Sequence, residues 1–276
     1  MNFESMIGFG VAGNFAGHLE QAREAKDFEK VEVAEENQPK AVFPFYLPNN
    51  ITDNNLKIMP ISCDQLKFPE TSHDVQIEPE VALICDIEYE GDQVVSLNPI
   101  LFGAYNDCSI RRPGAKKISE KKNWGECSKG LSDQLIPIDT FNEGGILDHY
   151  QITCFHRVDS ELIQYGEVSD VLSYSYFHQK LLDWVVDRLN YQKNEGPAEN
   201  IHDYLMRAGR PSQCLLSIGA TRYTEYGKTN FLSVGDESIV VVYDKRKYSN
   251  LDILENLKNG NHQLDGASFL VQKVVS

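Results

Sequence analysis

The sequence predicts a strand-rich α+β fold, and three observations carry that expectation. Short runs rich in Val, Ile and Leu recur along the chain: EVALICDIEY at 80–89, CLLSIGAT at 214–221, ESIVVVYD at 237–244 and ASFLVQKVV at 267–275. Helical periodicity is confined to a few stretches. Strands and helices do not alternate as a doubly wound sheet requires. With 276 residues, 41% of them hydrophobic, the chain can bury a large core in one or two domains.

Taken in order, IGFGVAGN at 7–14 reads as a short strand and turn. The polar segment HLEQAREAKDFEKVEVAEENQ at 18–38 is rich in helix formers and reads as a lid-like helix. PKAVFPFYLP at 39–48 is apolar but interrupted by Pro39, Pro44 and Pro48, which suits a loop lining a cavity. Pro79 has no N–H to give a ladder and should open the strand that follows. RRPGAKKISEKKNWGECSKG at 111–130 is a long basic loop, and TCFHRVDSELIQYGEV at 153–168 is a hairpin. SYFHQKLLDWVVDRLNYQ at 175–192 places Phe177, Leu181, Leu182, Val185 and Leu189 on one helical stripe. A short helix follows the Gly196-Pro197 break and stops near Gly209 and Pro211. A last helix lies around 251–257.

The formal net charge of −15 argues against nucleic acid as the main partner, since phosphate binding depends on Lys and Arg. It leaves an anionic small substrate open, because a local pocket can be positive inside an acidic protein. The six cysteines show no C-x-x-C pair or zinc-ligand spacing. The chain start lacks a secretory pattern, and no apolar run is long enough to span a bilayer. The expectation is a reduced, cytoplasmic protein without a membrane partner.

The chemistry-bearing motif is a set of three carboxylates. Glu78 and Glu80 form an E-x-E pair, and the two-residue period of a strand aims both at one face. Asp107 follows in GAYNDCSIRR. Like charges this close in a partly buried site need a cation, and three hard oxygen ligands suit Mg²⁺ or Mn²⁺. The alternative is a solvated acidic surface with no metal.

Several segments, in order from residue 7 to 236, resemble the fumarylacetoacetate hydrolase superfamily. GFGVAGNFAGHLEQA is similar to its G-x-N-Y-x-x-H-x-x-E segment, matching Asn14 and His18. IEPEVALIC resembles its acidic E-x-E strand. GAYNDCSIRR resembles G-Y-x-x-x-N-D-x-S-x-R, matching Asn106, Asp107, Ser109 and Arg111. NWGECSKG resembles the segment carrying the family lysine, which aligns with Lys129. LLSIGATRYTEYG and FLSVGD resemble T-G-T-P-x-G-V and F-L-x-x-G-D.

The resemblance implies a mixed β-roll with a small N-terminal lid region. Residues 1–70 would form the lid and cavity-lining segment, and residues 71–276 the metal-binding β-roll catalytic domain. It implies Mg²⁺ or Mn²⁺ on Glu78, Glu80 and Asp107, a small keto-acid or dicarbonyl substrate, and a homodimer. His18 would be the base and Lys129 an electrophilic stabiliser, unless Lys129 is a loop lysine with a solvated tip. Arg111 would either meet substrate or brace the metal loop. Gly219 and Thr221 would contact substrate from their turn, unless that turn merely ends a strand.

Two departures bear on the reaction. The family glutamate three residues after the histidine is Gln21 here, and Glu20 points about 100° away on a helix. A glutamine orients an imidazole but does not stabilise an imidazolium. The threonine that follows the glycine of T-G-T-P is Ala220 here, with Thr221 one place on. The expected activity is divalent-metal-dependent cleavage of a C–C bond in a 1,3-dicarbonyl or acylpyruvate-like acid. The alternatives are an oxaloacetate-type decarboxylase or tautomerase, favoured by Gln21, and a non-catalytic metal- and metabolite-binding member.

Overall fold

The structure, a computed structural model, describes residues 2–276 apart from 23, 25–27, 29–34, 36, 51–53, 72, 73 and 113. In chain order the strands are β1 (Ile7–Ala12), β2 (Ala41–Tyr46), β3 (Ile61–Ser62), β4 (Gln65–Lys67), β5 (Val75–Gln76), β6 (Pro79–Glu90), β7 (Gln93–Asn106) and β8 (Ser109–Ile110). They continue as β9 (Lys129–Leu131), β10 (Ile136–Pro137), β11 (Tyr150–Val158), β12 (Glu161–Asp170), β13 (Gln213–Ser217), β14 (Glu237–Asp244) and β15 (Ala267–Val275). The α-helices are α1 (His18–Gln21), α2 (His178–Tyr191), α3 (Ile201–Arg207) and α4 (Asn250–Lys258).

The result is the mixed α+β architecture expected. One sheet runs β2-β1-β13-β6-β7-β9-β3, with β10 also on β7. A second runs β12-β11-β14-β15-β4, and β5 pairs with β8 alone. The main core packs side chains of both sheets, such as Phe9, Leu83, Phe102, Ile152 and Leu270, against Leu181, Val185 and Leu189 of α2. Those α2 residues are three of the stripe read from the sequence. Helix α3 is capped by Asn200, whose side chain accepts from the Asp203 N–H, and α4 carries a Ser249/Asp252 capping box.

The β6–β7 hairpin positions the site. Its register runs from Glu90↔Gln93 at the turn to Pro79↔Asn106 at the open end. Residues 78–80 therefore lie opposite 105–107, and the Asp107 N–H donates to the Glu78 carbonyl at 3.0 Å. Pro79 opens β6, where its missing N–H costs nothing.

One expectation is corrected. The proline-broken segment at 39–48 contains a regular strand, β2, rather than a loop. The strand tolerates Pro44 because it lies at the sheet edge and pairs only with β1, with a register shift beside it between Gly8 and Phe9. Its outer edge is satisfied by Gln192, whose side chain accepts from Val42 N–H and donates to Val42 C=O. The glycines of β1 serve close approach: a Cβ on Gly8 would sit 2.2 Å from the Phe45 ring, and one on Gly10 2.2 Å from the Phe43 ring. Most of the segment expected to form a lid lies outside the described residues.

Candidate metal centre

The fold brings Glu78, Glu80 and Asp107 together as their spacing predicted. One oxygen from each lies within 4.8 Å of the others, and all three side chains are buried. Glu78 precedes β6, Glu80 is on it, and Asp107 follows β7. Asn106 braces the group: its Oδ1 accepts from the Glu78 N–H at 3.1 Å, and its amide donates to Ser238 Oγ and Gln272 Oε1. The Gly219 N–H donates to Glu80 Oε2 at 2.9 Å.

Three cationic side chains contact these acids, and a fourth meets the neighbouring Glu24. Lys122 Nζ stands 2.5 Å from both Glu78 Oε2 and Asp107 Oδ2. Lys129 Nζ lies 2.8 Å from Asp107 Oδ1 and donates to the carbonyls of Asp107 and Cys108 at 3.0 and 3.1 Å. Arg111 reaches Glu78 Oε1 at 2.9 Å, Glu24 Oε1 at 2.8 Å and Gln76 Oε1 at 2.6 Å, and donates to Tyr223 Oη at 3.2 Å. Lys121 Nζ meets Glu24 Oε1 at 2.7 Å.

The electrostatics follow. Burial disfavours the Glu78 carboxylate, but Lys122 and Arg111 outweigh it and hold its pKa well below the usual range. Burial, with Asp107 next to it, drives the Glu80 pKa well up. Burial also opposes charge on Lys122, yet Asp107 and Glu78 prevail and keep its ammonium protonated beyond the ordinary lysine range. For Lys129 burial wins, and its pKa is lowered.

The remaining expected residues stand as follows. His18 and Lys122 line the same small cavity of about 20 Å³ as the three carboxylates. His18 Nδ1 is 2.9 Å from the Thr221 carbonyl. A carbonyl only accepts, so Nδ1 carries the proton and Nε2 is the acceptor. Burial lowers the His18 pKa, which keeps the ring neutral. Gln21 spends its amide on the Tyr223 backbone, accepting from N–H at 2.7 Å and donating to C=O at 3.3 Å. It thus holds the 221–223 segment that orients His18.

Lys129 is fully buried, not a solvated loop lysine; it donates to the Asp107 and Cys108 carbonyls and forms an ion pair with Asp107 Oδ1. Thr221 turns its hydroxyl to the Pro79 carbonyl, and Gly219 turns its N–H to Glu80. Arg111 braces Glu78 and also lines a neighbouring cavity of about 300 Å³, together with Gln21, Glu24, Arg112, Lys121 and Lys228. Glu24 lines both cavities.

Sequence reasoning passed over Lys122 as one more basic-loop residue. The available signal was the demand of buried carboxylates for a counterion, with Lys121 and Lys122 the nearest candidates on that loop.

The sequence matches DUF5718, a family of unknown function, over residues 24–274. The chain belongs to this family. No curated protein matches it by sequence. Among solved structures, this DUF5718 chain is similar to 2-keto-3-deoxy-D-arabinonate dehydratase complexed with magnesium and 2,5-dioxopentanoate, at TM-score 0.54 and 13% identity over 98% of this chain and 72% of that one. It is similar to a Yersinia pestis CO92 protein assigned to the fumarylacetoacetate hydrolase family, at TM-score 0.52 and 10% identity over 100% and 95%. It is also similar to 5-carboxymethyl-2-hydroxymuconate delta-isomerase from Mycobacterium smegmatis, at TM-score 0.50 and 14% identity over 98% and 78%. At these identities the likeness is one of fold, and the fold of this DUF5718 protein is fumarylacetoacetate-hydrolase-like.

The donor set of the DUF5718 site suits a hard divalent ion. Glu78 Oε1 and both Asp107 carboxylate oxygens are buried and make no hydrogen bond among the described residues; their lysine and arginine contacts are ion pairs off hydrogen-bond geometry. Glu78, Glu80 and Asp107 are the residues that would hold such an ion. No helix among the described residues is long and apolar enough to cross a membrane, and all six cysteines are free.

Proposed function

We propose that this DUF5718 protein is a divalent-metal-dependent enzyme acting on a small keto acid or 1,3-dicarbonyl compound. The observation that carries this reading is the convergence of Glu78, Glu80 and Asp107 in one buried cluster, on a cavity shared with His18. A Mg²⁺ or Mn²⁺ ion held there would supply Lewis-acid stabilisation of negative charge developing on a substrate carbonyl oxygen.

The chain's own residues do the rest. Arg111, Arg112, Lys121 and Lys228 outnumber Glu24 and Asp74 in the lining of the cavity of about 300 Å³, a balance that suits a substrate carboxylate. Glu24, between the two cavities, would separate substrate from the carboxylates until it moves. His18, proton on Nδ1 and held by the Thr221 carbonyl, offers Nε2 to accept a proton from carbon or return one.

Cleavage of a C–C bond by water is one outcome of this arrangement. Decarboxylation or tautomerisation is favoured by a specific observation: His18 Nδ1 is oriented by a neutral carbonyl rather than by a carboxylate that would stabilise an imidazolium. The similar structures described as a dehydratase and an isomerase are in keeping with enolate chemistry on this fold.

The test is incubation with a panel of acylpyruvates and oxaloacetate in Mg²⁺, Mn²⁺ or EDTA, with products identified by NMR. Metal-dependent turnover, abolished in Asp107→Asn, is expected. Absence of turnover across the panel, or turnover indifferent to EDTA and to Asp107→Asn, would refute the reading.

A further inference from the structure

In this protein the position between Glu78 and Asp107 already has a cation. Lys122 Nζ is 2.5 Å from Glu78 Oε2 and 2.5 Å from Asp107 Oδ2, and the side chain is buried with them. The surrounding cavity is about 20 Å³, the space of a single water or ion. A Mg²⁺ bound to the same two oxygens would need them at about 2.0–2.1 Å. An ammonium and a divalent ion sharing those oxygens would overlap in space and repel in charge.

Lys122 is placed there by the backbone. The 3-10 turn Ile118–Lys121 ends on it, with the Lys122 N–H donating to the Ser119 carbonyl at 3.1 Å. That turn is anchored in turn by Ser119 Oγ, which donates to Glu199 at 3.0 Å. The neighbouring Lys121 is sent elsewhere, to Glu24. Lys122 also stands over the Phe43 ring, with Nζ 5.2 Å from its centroid. The other cations cannot be mistaken for this role: Lys129 approaches Asp107 from its Oδ1 side, and Arg111 approaches Glu78 from its Oε1 side.

We infer that Lys122 is a built-in counterion that holds the Glu78–Asp107 pair and competes with the divalent ion for it, so that the ion binds only when the Lys122 side chain leaves. This deepens the proposed function and rests on its metal-site reading. It makes Lys122 a positioning residue whose departure is part of the cost of loading the site.

The experiment is Mn²⁺ binding, followed by electron paramagnetic resonance and calorimetry, on the full-length wild type and on Lys122→Met. A parallel thermal melt is run in EDTA and in Mn²⁺. Wild type is expected to bind weakly, and K122M at least about tenfold more tightly. K122M is also expected to melt lower than wild type in EDTA and to gain more from Mn²⁺. Should K122M not fold in either condition, Lys122→Gln is read in the same way.

Equal Mn²⁺ affinity in wild type and variant overturns the counterion inference and leaves the metal reading standing. A folded variant that binds no Mn²⁺, like wild type, overturns both. A Mn²⁺-loaded crystal with Lys122 still between Glu78 and Asp107 also overturns the inference.

Discussion

The Gly219 N–H donates to Glu80 Oε2 at 2.9 Å, which ties the turn after β13 to the carboxylate on β6. The same turn is fixed on its other side by Tyr174, whose hydroxyl donates to the Gly219 carbonyl at 2.7 Å. Glu80 is therefore aimed by a backbone group 139 residues away in sequence.

Gly219 has φ +116, and a Cβ there would lie 3.0 Å from Asn14 Cβ. Asn14 cannot yield easily, because its amide donates to the Tyr176 and Ile218 carbonyls and its Oδ1 accepts from the Tyr176 N–H. Gly219→Ala should lower stability by about 1–3 kcal/mol through backbone strain. It should also weaken Mn²⁺ binding by displacing Glu80. Denaturant titration and metal titration check the two effects separately, and an unchanged melt would contradict the account.

Arg111 joins Glu24, Gln76, Glu78 and Tyr223 through one guanidinium. Its removal in Arg111→Met leaves Glu78 and Glu24 each short of a buried partner, at a cost of about 3–5 kcal/mol. Arg111→Lys should recover little, since an ammonium lacks the planar fork that reaches four groups. Urea unfolding of the two variants measures this, with near-identical curves for R111K and wild type as the contrary result.

Gln21→Glu restores the family-like glutamate but should not create a hydrolase. The side chain is clamped to both backbone groups of Tyr223, and a carboxylate would place an oxygen against the Tyr223 carbonyl where Nε2 now donates. The expected outcome is destabilisation of about 1–3 kcal/mol without new acylpyruvate hydrolysis. A gain of hydrolysis would show that the glutamate reaches His18 after all.

Glu199 supplies a pH dependence away from the carboxylate cluster. Burial raises its pKa, only partly offset by donors Ser119 Oγ and Tyr204 Oη, and its Oε2 makes no hydrogen bond among the described residues. Its folded value lies above its unfolded one, so folding favours the protonated acid. That stabilising contribution is complete below the usual glutamate pKa and is lost as pH rises through the raised value. Glu199→Gln should therefore melt higher than wild type at neutral pH, with the difference shrinking as pH falls from the raised value towards the usual glutamate value. Melts across pH 4–8, as an approximate range around that value, read the trend; a pH-independent difference would contradict it.

Much of the architecture was legible in the sequence because local rules acted without opposition. The α2 stripe, the β11–β12 hairpin, β14 and β15 all follow from side-chain period and turn residues. The segment at 39–48 misled because proline rules depend on where a strand lies. Pro44 is tolerated at the edge of a sheet, and sequence does not say which strand is the edge.

The three carboxylates were determined by the sequence: residue type, E-x-E spacing and an N-D pair on the far arm of one hairpin. Local register suffices to join them, because Pro79 pairs with Asn106. The tertiary structure decided which groups share their charge. Lys122 arrives from the end of a 3-10 turn, Lys129 from β9, Gly219 from the turn after β13, and Arg111 is stretched between four partners. A lysine reads identically in sequence whether its ammonium is solvated or buried between two acids. Only the packing of the 118–122 turn against β2, with Lys122 over the Phe43 ring, removes water from Lys122 and sets it where the carboxylates demand a cation, and burial is what turns that proximity into a strong interaction.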